Sequence, residues 1–256
     1  LNEAYSVAEK LGLKIFPIFQ NRHNLAVKRV KKALISGELG NIRVIGVRVR
    51  WCRPQRYYDM APWRGTLSHD GGALTNQGIH HVDLLRYLGG EVSQVNATMR
   101  TLGAEIEAED TIVSSFKYEN NAVGSLEVTT SARPDDFEAS ISIVGSKGLA
   151  QIGGIAVNEL QIFTPKPKDC EVFSEDFSDC VYGEGHKLLY EDIYSSISNG
   201  TSYSVSHYDC LQSIRLLHAF YRSDEKSNWQ KVGEDGESAR LGQINEEISN
   251  LYRTIK

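Results

Sequence analysis

The chain lacks several features that would each have fixed a function class. No hydrophobic run approaches the ~20 residues that cross a bilayer, so no membrane partner is expected. No charged start followed by a long apolar stretch is present, so a secretory leader is not expected either. A basic block is missing too. The net charge is -5, and the densest basic stretch, Lys28, Arg29, Lys31 and Lys32, reads as the solvated face of a helix. Phosphate backbones need clustered cations, so nucleic acid is not an expected partner. The four cysteines, Cys52, Cys170, Cys180 and Cys210, form no C-x-x-C pair. They are expected to be reduced thiols in a cytoplasmic protein, with a Cys170–Cys180 bridge as the alternative. There is no G-x-G-x-x-G dinucleotide fingerprint, no G-x-S-x-G nucleophile elbow and no H-E-x-x-H pair.

What is present is an ordinary folding composition. Hydrophobic residues make up 41% and charged residues 24% of 256 positions, which excludes a disordered or fibrous chain. Leu1, Ala4, Val7, Ala8 and Leu11 fall at helical spacing, and Gly12 follows as a cap. Residues 14–19 read as a short apolar strand, with Pro17 assigning it to a sheet edge. Helix, glycine, strand is the close of an α/β unit. A second helix is predicted over 24–36. From Asn41 onward strands dominate. Ile45, Val47, Val49 and Trp51 alternate with Gly46, Arg48 and Arg50, the period of a half-buried strand. Further strands are predicted over 92–101, 109–118, 122–131, 137–145, 148–152 and 157–163. Short turns such as Glu119-Asn120-Asn121 and Ser146-Lys147-Gly148 separate them. Short connections imply antiparallel neighbours. Helices return over 77–88, 185–198, 206–222 and 238–254, and 164–184 is polar and irregular. The predicted fold class is α+β: one large, mostly antiparallel open sheet with helices on one face. Its other face, where apolar, needs a cover, and a partner subunit is the usual one.

The residues best suited to chemistry lie between Arg53 and Asp83. Tyr57-Tyr58, Pro62-Trp63-Arg64-Gly65-Thr66 and Asp70-Gly71-Gly72 lead into Asn76-Gln77-Gly78-Ile79-His80-His81-Val82-Asp83. An aromatic, arginine and glycine-rich loop opening a helix suits a polar pocket. Asn76 and His80, four apart, share one face if both lie in the first helical turn. Asp83 stands three residues on, where it can orient an imidazole. A histidine with a pKa near 6.5 is a natural proton-transfer group. His80 can equally be a structural histidine, and His81 is expected to be one. The spacing of His80, His81 and Asp83 does not match a metal motif, and no metal is expected.

These segments together resemble the Gfo/Idh/MocA oxidoreductase family over nearly the whole chain from about residue 14. The resemblance is carried by Phe19-Gln20-Asn21-Arg22, by the helix ending Gly37-Glu38-Leu39-Gly40, and by Gly71 to Asp83. Glu109-Asp110-Thr111, Ile143 to Gly148, and Ala219-Phe220-Tyr221-Arg222-Ser223 add to it. It implies a dinucleotide-binding Rossmann domain, of which residues 1–22 are a remnant holding its last helix and strand. Residues 23–256 are then the substrate-binding and oligomerisation domain. The reaction implied is hydride transfer between a sugar hydroxyl carbon and NAD or NADP. The resemblance assigns His80 as general acid/base and Asn76, where the family usually has Asp, as its companion. It places Tyr58, Trp63, Arg64, Thr66 and His186 on the substrate. Gln20 and Arg22, at the exit from the nucleotide domain, fall to the cofactor. Asn-Gln-Gly-Ile-His after Trp63-Arg64-Gly65-Thr66 is similar to the branch that oxidises nucleotide-linked N-acetylamino sugars at C3.

The expected partners are therefore a sugar or nucleotide-sugar and further copies of the chain, through the open sheet face. The catalytic lysine and the glycine fingerprint of the family fall outside these residues. The chain by itself is accordingly expected not to transfer hydride. Two alternatives remain: a catalytically inactive sugar-binding or oligomerisation protein of the same fold, and a poorly folding fragment.

Overall fold

The computed structural model describes residues 1–177, 183–233 and 236–253. Helix α1 (Asn2–Lys10) leads through an extended segment to a 3-10 turn (Gln20–His23), then α2 (Leu25–Ile35) and strand β1 (Ile42–Arg50). Three helices follow, α3 (Gln55–Tyr58), α4 (Gly72–Thr75) and α5 (Ile79–Gly89). The strands β2 (Val92–Arg100), β3 (Thr111–Tyr118), β4 (Val123–Thr129), β5 (Glu138–Gly145), β6 (Leu149–Gly153) and β7 (Glu159–Phe163) come next. After them run α6 (Asp169–Val172), α7 (Gly185–Ser198), α8 (His207–Lys226), β8 (Gln230–Lys231) and α9 (Glu246–Tyr252).

The eight strands form one sheet in the order β7-β6-β5-β1-β4-β3-β2-β8. The mostly antiparallel open sheet expected from the sequence is what forms. Among the described residues its one parallel pair is β1 with β4, at the centre, Val47 opposite Leu126. Short turns cannot make a parallel pair. Here the crossover runs through α3, α4, α5, β2 and β3, a link that local turn signals do not show.

Alternation decides the two faces. Ile45, Val47 and Val49 of β1, Leu126 and Val128 of β4, and Ile141 and Ile143 of β5 all point inward and are buried. They meet Ala26, Val27, Val30 and Ala33 of α2, Val82 and Leu85 of α5, and Leu216 and Phe220 of α8 in one core. Helix α8 starts firmly: Ser206 and Asp209 form a reciprocal capping box. On the other face Arg50 pairs with Glu127 at 2.5 Å and with Glu138 at 3.4 Å, linking β1, β4 and β5.

Three predicted elements differ. Residues 14–19 form no strand. Pro17 offers no N–H, and among the described residues no strand lies beside them to pair with. They are held instead by Tyr203 Oη donating to Pro17 O at 2.5 Å and Lys14 Nζ donating to Ser196 O at 3.0 Å. The helix predicted over 238–254 is a turn until α9, with Thr254 outside the described residues. Gly242 adopts a φ of +75°, and the Glu225 carboxylate accepts the backbone N–H of Ala239 and Arg240, each at 3.2 Å. Those N–H groups face a side chain and not a helical ladder. The helix predicted over 77–88 starts at Ile79. Cys52, Cys170 and Cys210 are free thiols; Cys180 lies outside the described residues. No described helix is long and apolar enough to cross a membrane.

Candidate functional site

The end of β1, α3, the α4–α5 junction and the 3-10 turn enclose a cleft of about 400 Å³. Among the residues lining it are Gln20, Asn21, Trp51, Arg53, Tyr57, Arg64, Asn76, Gln77, His80 and Asp136. Four carboxamides, two guanidiniums and two aromatic rings make a wall suited to a ligand dense in hydroxyls.

The chain enters α4, which ends at Asn76, through a tight double-glycine turn. Gly71 and Gly72 have φ of +78° and +83°. A Cβ on Gly72 would sit 2.3 Å from the Glu109 carboxylate, so only glycine fits there. Glu109 lies beneath the turn, accepting Leu74 N–H at 3.0 Å and meeting Tyr221 Oη at 2.8 Å. Tyr221 in turn donates to Gly71 O. Burial pushes the Glu109 carboxyl up to about 8, so it is protonated at neutral pH. Its folded pKa thus lies above the ordinary value of about 4.3. The stability it contributes is complete below that ordinary value and is lost as pH rises towards 8, by up to about 1.4 kcal/mol per pH unit. Glu109→Gln, neutral in both states, is expected to melt close to wild type at pH 5 and several degrees above it at pH 8. Parallel melting curves across that range would show the carboxyl ionised throughout.

Asn76 closes α4 and does not share the first turn of α5 with His80, because Gly78 separates the two helices. Both still face the cleft. Asn76 Nδ2 donates to Asp70. His80 meets the edge of Phe19 at 6.2 Å between ring centres. Its Nδ1 is buried and has no hydrogen-bond partner among the described residues, which leaves Nε2 as the nitrogen for the cleft that His80 lines. Burial, with His186 adding its charge, pushes the His80 pKa down to about 4. The imidazole is therefore neutral at pH 7, well below the ordinary value that the sequence suggests. Asp83 does not orient it. That carboxylate is fully buried and is taken by Arg22, whose Nε and Nη2 meet its two oxygens at 2.7 and 2.6 Å. His81 is also fully buried, edge-on to Trp51 at 5.7 Å, and burial drives its pKa to about 3.

Of the residues expected from the sequence, the cleft gathers Gln20, Arg64, Asn76 and His80. The others stand one layer back. Tyr58 is buried with its hydroxyl on Thr130 at 2.9 Å. Trp63 lies under the Arg64 guanidinium at 4.7 Å. Thr66 donates to Trp63 O at 2.7 Å and closes the loop. His186 is the second residue of α7 and acts on His80 through its charge. Arg22 is held in its pair with Asp83 and stacks on Tyr87 at 4.4 Å.

Sequence reasoning missed Trp51 and Asp136, and gave no individual role to Arg53, Tyr57 and Gln77 within the cluster it singled out. Gln77 donates to Tyr57 Oη at 3.1 Å, and Arg53 donates to Asp136 at 2.9 Å. The signal for Trp51 and Arg53 was their place where β1 runs out, since strand ends carry sites. Asp136 arrives from a turn 83 residues later, which no local pattern shows.

The two cleft arginines differ. Arg53 is matched by Asp136. The Arg64 guanidinium lies 4.2 Å over the Tyr57 ring and 4.7 Å over that of Trp63, and it has no carboxylate or hydrogen-bond partner among the described residues; its Nε is buried. The cleft thus carries one cation in excess. Gln20 Oε1 is likewise buried without a partner. Among the described residues no group of three His, Cys, Asp or Glu side chains is placed to hold a metal ion.

Comparison with known proteins adds the following. A family model for the GFO/IDH/MocA C-terminal domain matches residues 27–151. The WlbA dehydrogenase of Bordetella pertussis, solved with NADH and UDP-GlcNAcA, superposes with a TM-score of 0.85 at 38% identity. The match covers 90% of this chain and 68% of that one. Levoglucosan dehydrogenase of Pseudarthrobacter phenanthrenivorans is 26% identical across 84% of this chain and 65% of its own length. The uncharacterized oxidoreductase YrbE of Bacillus subtilis is 25% identical across 70% of this chain and 52% of its own. The chain therefore spans between about half and two thirds of the curated relatives it matches.

Proposed function

The chain belongs to the Gfo/Idh/MocA oxidoreductase family, and on that premise we propose that it binds the sugar in a nicotinamide-dependent dehydrogenation, the sugar being nucleotide-linked. The observation that carries the nucleotide link is Arg64. A guanidinium resting on two rings, with no carboxylate of its own among the described residues, suits a phosphate or carboxylate on the ligand. A neutral anhydrosugar gives it nothing to pair with. The WlbA dehydrogenase, solved with a UDP-sugar, is also the more similar of the two dehydrogenases compared, at 38% against 26% identity.

In this reading the sugar lies against Tyr57 and Trp51, and Arg64 holds the anion. Asn76 accepts from a hydroxyl beside the reacting carbon. His80 Nε2, neutral and at the cleft surface, takes the hydroxyl proton as the carbon is oxidised. The nicotinamide supplies the hydride acceptor. Gln20 Oε1, buried and unpartnered at the cleft, fits an N–H donor such as the nicotinamide carboxamide. No glycine fingerprint for the pyrophosphate occurs in these 256 residues. Catalysis then requires a dinucleotide-binding domain beyond them, and the choice between NAD and NADP belongs to that domain. In this reading residues 1–22 belong with the dinucleotide-binding side and 23–256 form the substrate domain.

The outer sheet face supports self-association. Leu149, Val144, Val44 and Val123 lie opposite one another across four strands and are exposed. Such a row suits an isologous contact with a second copy, which sedimentation of the chain tests.

The deciding experiment is calorimetric titration of the chain with UDP-N-acetylglucosamine, UDP-N-acetylglucosaminuronic acid and levoglucosan. Saturable binding of a UDP-sugar, weakened about tenfold or more in Arg64→Ala, is the expected result. Binding of levoglucosan alone, unchanged in Arg64→Ala, would overturn the nucleotide-linked substrate. A catalytically inactive sugar-binding protein predicts the same titration and differs only in showing no turnover when a dinucleotide-binding domain is supplied.

A further inference from the structure

We infer that Asp70 is a positioning residue that fixes which end of the Asn76 amide faces the cleft, and that it makes an amide, not a carboxylate, the fitting group at position 76. The consequence for the ligand rests on the proposed sugar site; the lock itself does not.

Asp70 is buried, and both its oxygens are in use. Oδ2 accepts the Gly65 N–H at 2.6 Å, and Oδ1 accepts from Asn76 Nδ2. Its own N–H donates to Thr66 O at 3.1 Å. Asp70 thus joins the turn that carries Arg64 to the end of α4. An ionised carboxylate has no proton to give, so the Asn76 group turned towards it must be the NH₂. The carbonyl oxygen Oδ1 is what remains for the cleft that Asn76 lines. Asn76 therefore offers the ligand an acceptor of fixed direction that takes up no proton, next to the neutral His80.

An Asp at position 76 would bring two carboxylates within hydrogen-bond distance of each other. Both cannot ionise at once at such range, so one keeps a proton. That raises a folded-state pKa above its unfolded value. The resulting stability is complete below the unfolded pKa and is lost as pH rises through the folded one. Exchanging both residues removes the conflict. The new amide at position 70 donates to the new carboxylate at position 76, and its oxygen still accepts from Gly65.

Thermal melts of the chain from pH 5 to pH 8 test this without any ligand. The gap in Tm between Asn76→Asp and wild type is expected to widen as pH rises. Asp70→Asn/Asn76→Asp is expected to close most of that gap at every pH. Asn76→Ala, which loses the hydrogen bond and adds no charge, is expected to show a gap that does not change with pH. A flat gap for Asn76→Asp, or a double variant no better than the single one, would overturn the lock. Titration with UDP-N-acetylglucosamine adds the functional readout. Asp70→Asn keeps its oxygen on the Gly65 N–H and turns its NH₂ towards Asn76, whose amide then flips and offers the cleft a donor in place of the acceptor, so affinity is expected to fall about tenfold. Unchanged affinity in a folded Asp70→Asn variant would overturn the positioning role. Failure of the wild-type chain to bind UDP-N-acetylglucosamine counts against the proposed substrate, and the melts still decide the lock.

Discussion

Asp83→Ala is expected to lower the unfolding free energy by about 3–5 kcal/mol. Asp83 is fully buried on α5, and Arg22, from the 3-10 turn, is only 5% exposed. The guanidinium meets both carboxylate oxygens in a fork, and Ser213 of α8 meets one of them at 3.2 Å. Removing the carboxylate leaves a charge with little water around it. Asp209, 3.5 Å from Arg22 and partly exposed, softens that loss, so this variant belongs at the low end of the range. Arg22→Ala leaves the carboxylate with Ser213 as its remaining hydrogen bond and belongs at the high end. The pair need not be worth that much in itself, because taking both charges out of water has its own cost. Arg22→Met/Asp83→Leu, which removes both, is therefore expected to recover most of the loss. Urea unfolding of the three variants measures this. Single variants within 1 kcal/mol of wild type would mean that the pair is hydrated and exerts no such hold.

That pair also explains how the site is assembled from distant parts of the chain. Arg22 follows Gln20 and Asn21, which line the cleft, and Asp83 lies about one turn beyond His80 on α5. The fork therefore sets the turn that carries Gln20 against the helix that carries His80. Arg86 extends the contact by binding Asp209 at 2.9 Å and Glu91 at 3.0 Å. In the sequence Asp83 reads as a partner for the histidine three residues before it, and Arg22 as a cofactor ligand. Nothing local shows that two charges 61 positions apart satisfy one another.

The same limit separates what the sequence shows from what it hides. Period-two alternation identifies β1 and its inner face, because burial on one side of a strand leaves a mark at every second residue. The apolar positions of α2 and α5 do the same for their helices. Non-local pairing leaves no such mark. The parallel β1–β4 pair, the capture of the Ala239 and Arg240 N–H groups by Glu225, and the arrival of Asp136 beside Arg53 all depend on residues far away in the chain. Within the site, the residue types between Arg53 and Asp83 point to a polar pocket, and the pocket is there. Which of Tyr57 and Tyr58 faces it depends on a single turn of helix that composition does not reveal. Tyr57 lies under Arg64 in the cleft, and Tyr58 turns its hydroxyl into the core.

Loss of the imidazole is the most damaging single change expected for catalysis. His80→Asn, in a form carrying a dinucleotide-binding domain ahead of Leu1, is expected to lower kcat by about 10²–10⁴, the usual worth of a positioned proton acceptor. Sugar affinity should change only a few-fold, because Arg64 and Asn76 still hold the ligand. The pH dependence separates this role from mere support of the fold. Burial and the charge of His186 hold the His80 pKa down to about 4. A base works only unprotonated, so the neutral form is already complete at pH 6 to 8. The wild-type kcat/KM is then expected to show no inflection near 6.5 from this group, and to fall as pH drops through about 4. That acid limb should be absent from the residual activity of His80→Asn. Circular dichroism at each pH separates the limb from acid unfolding. His186→Ala removes the neighbouring charge and is expected to move the limb to higher pH, the direction in which relief of a like charge shifts an imidazole. A wild-type limb near 6.5 would mean a hydrated His80, and a limb that persists in His80→Asn would assign the proton to another group.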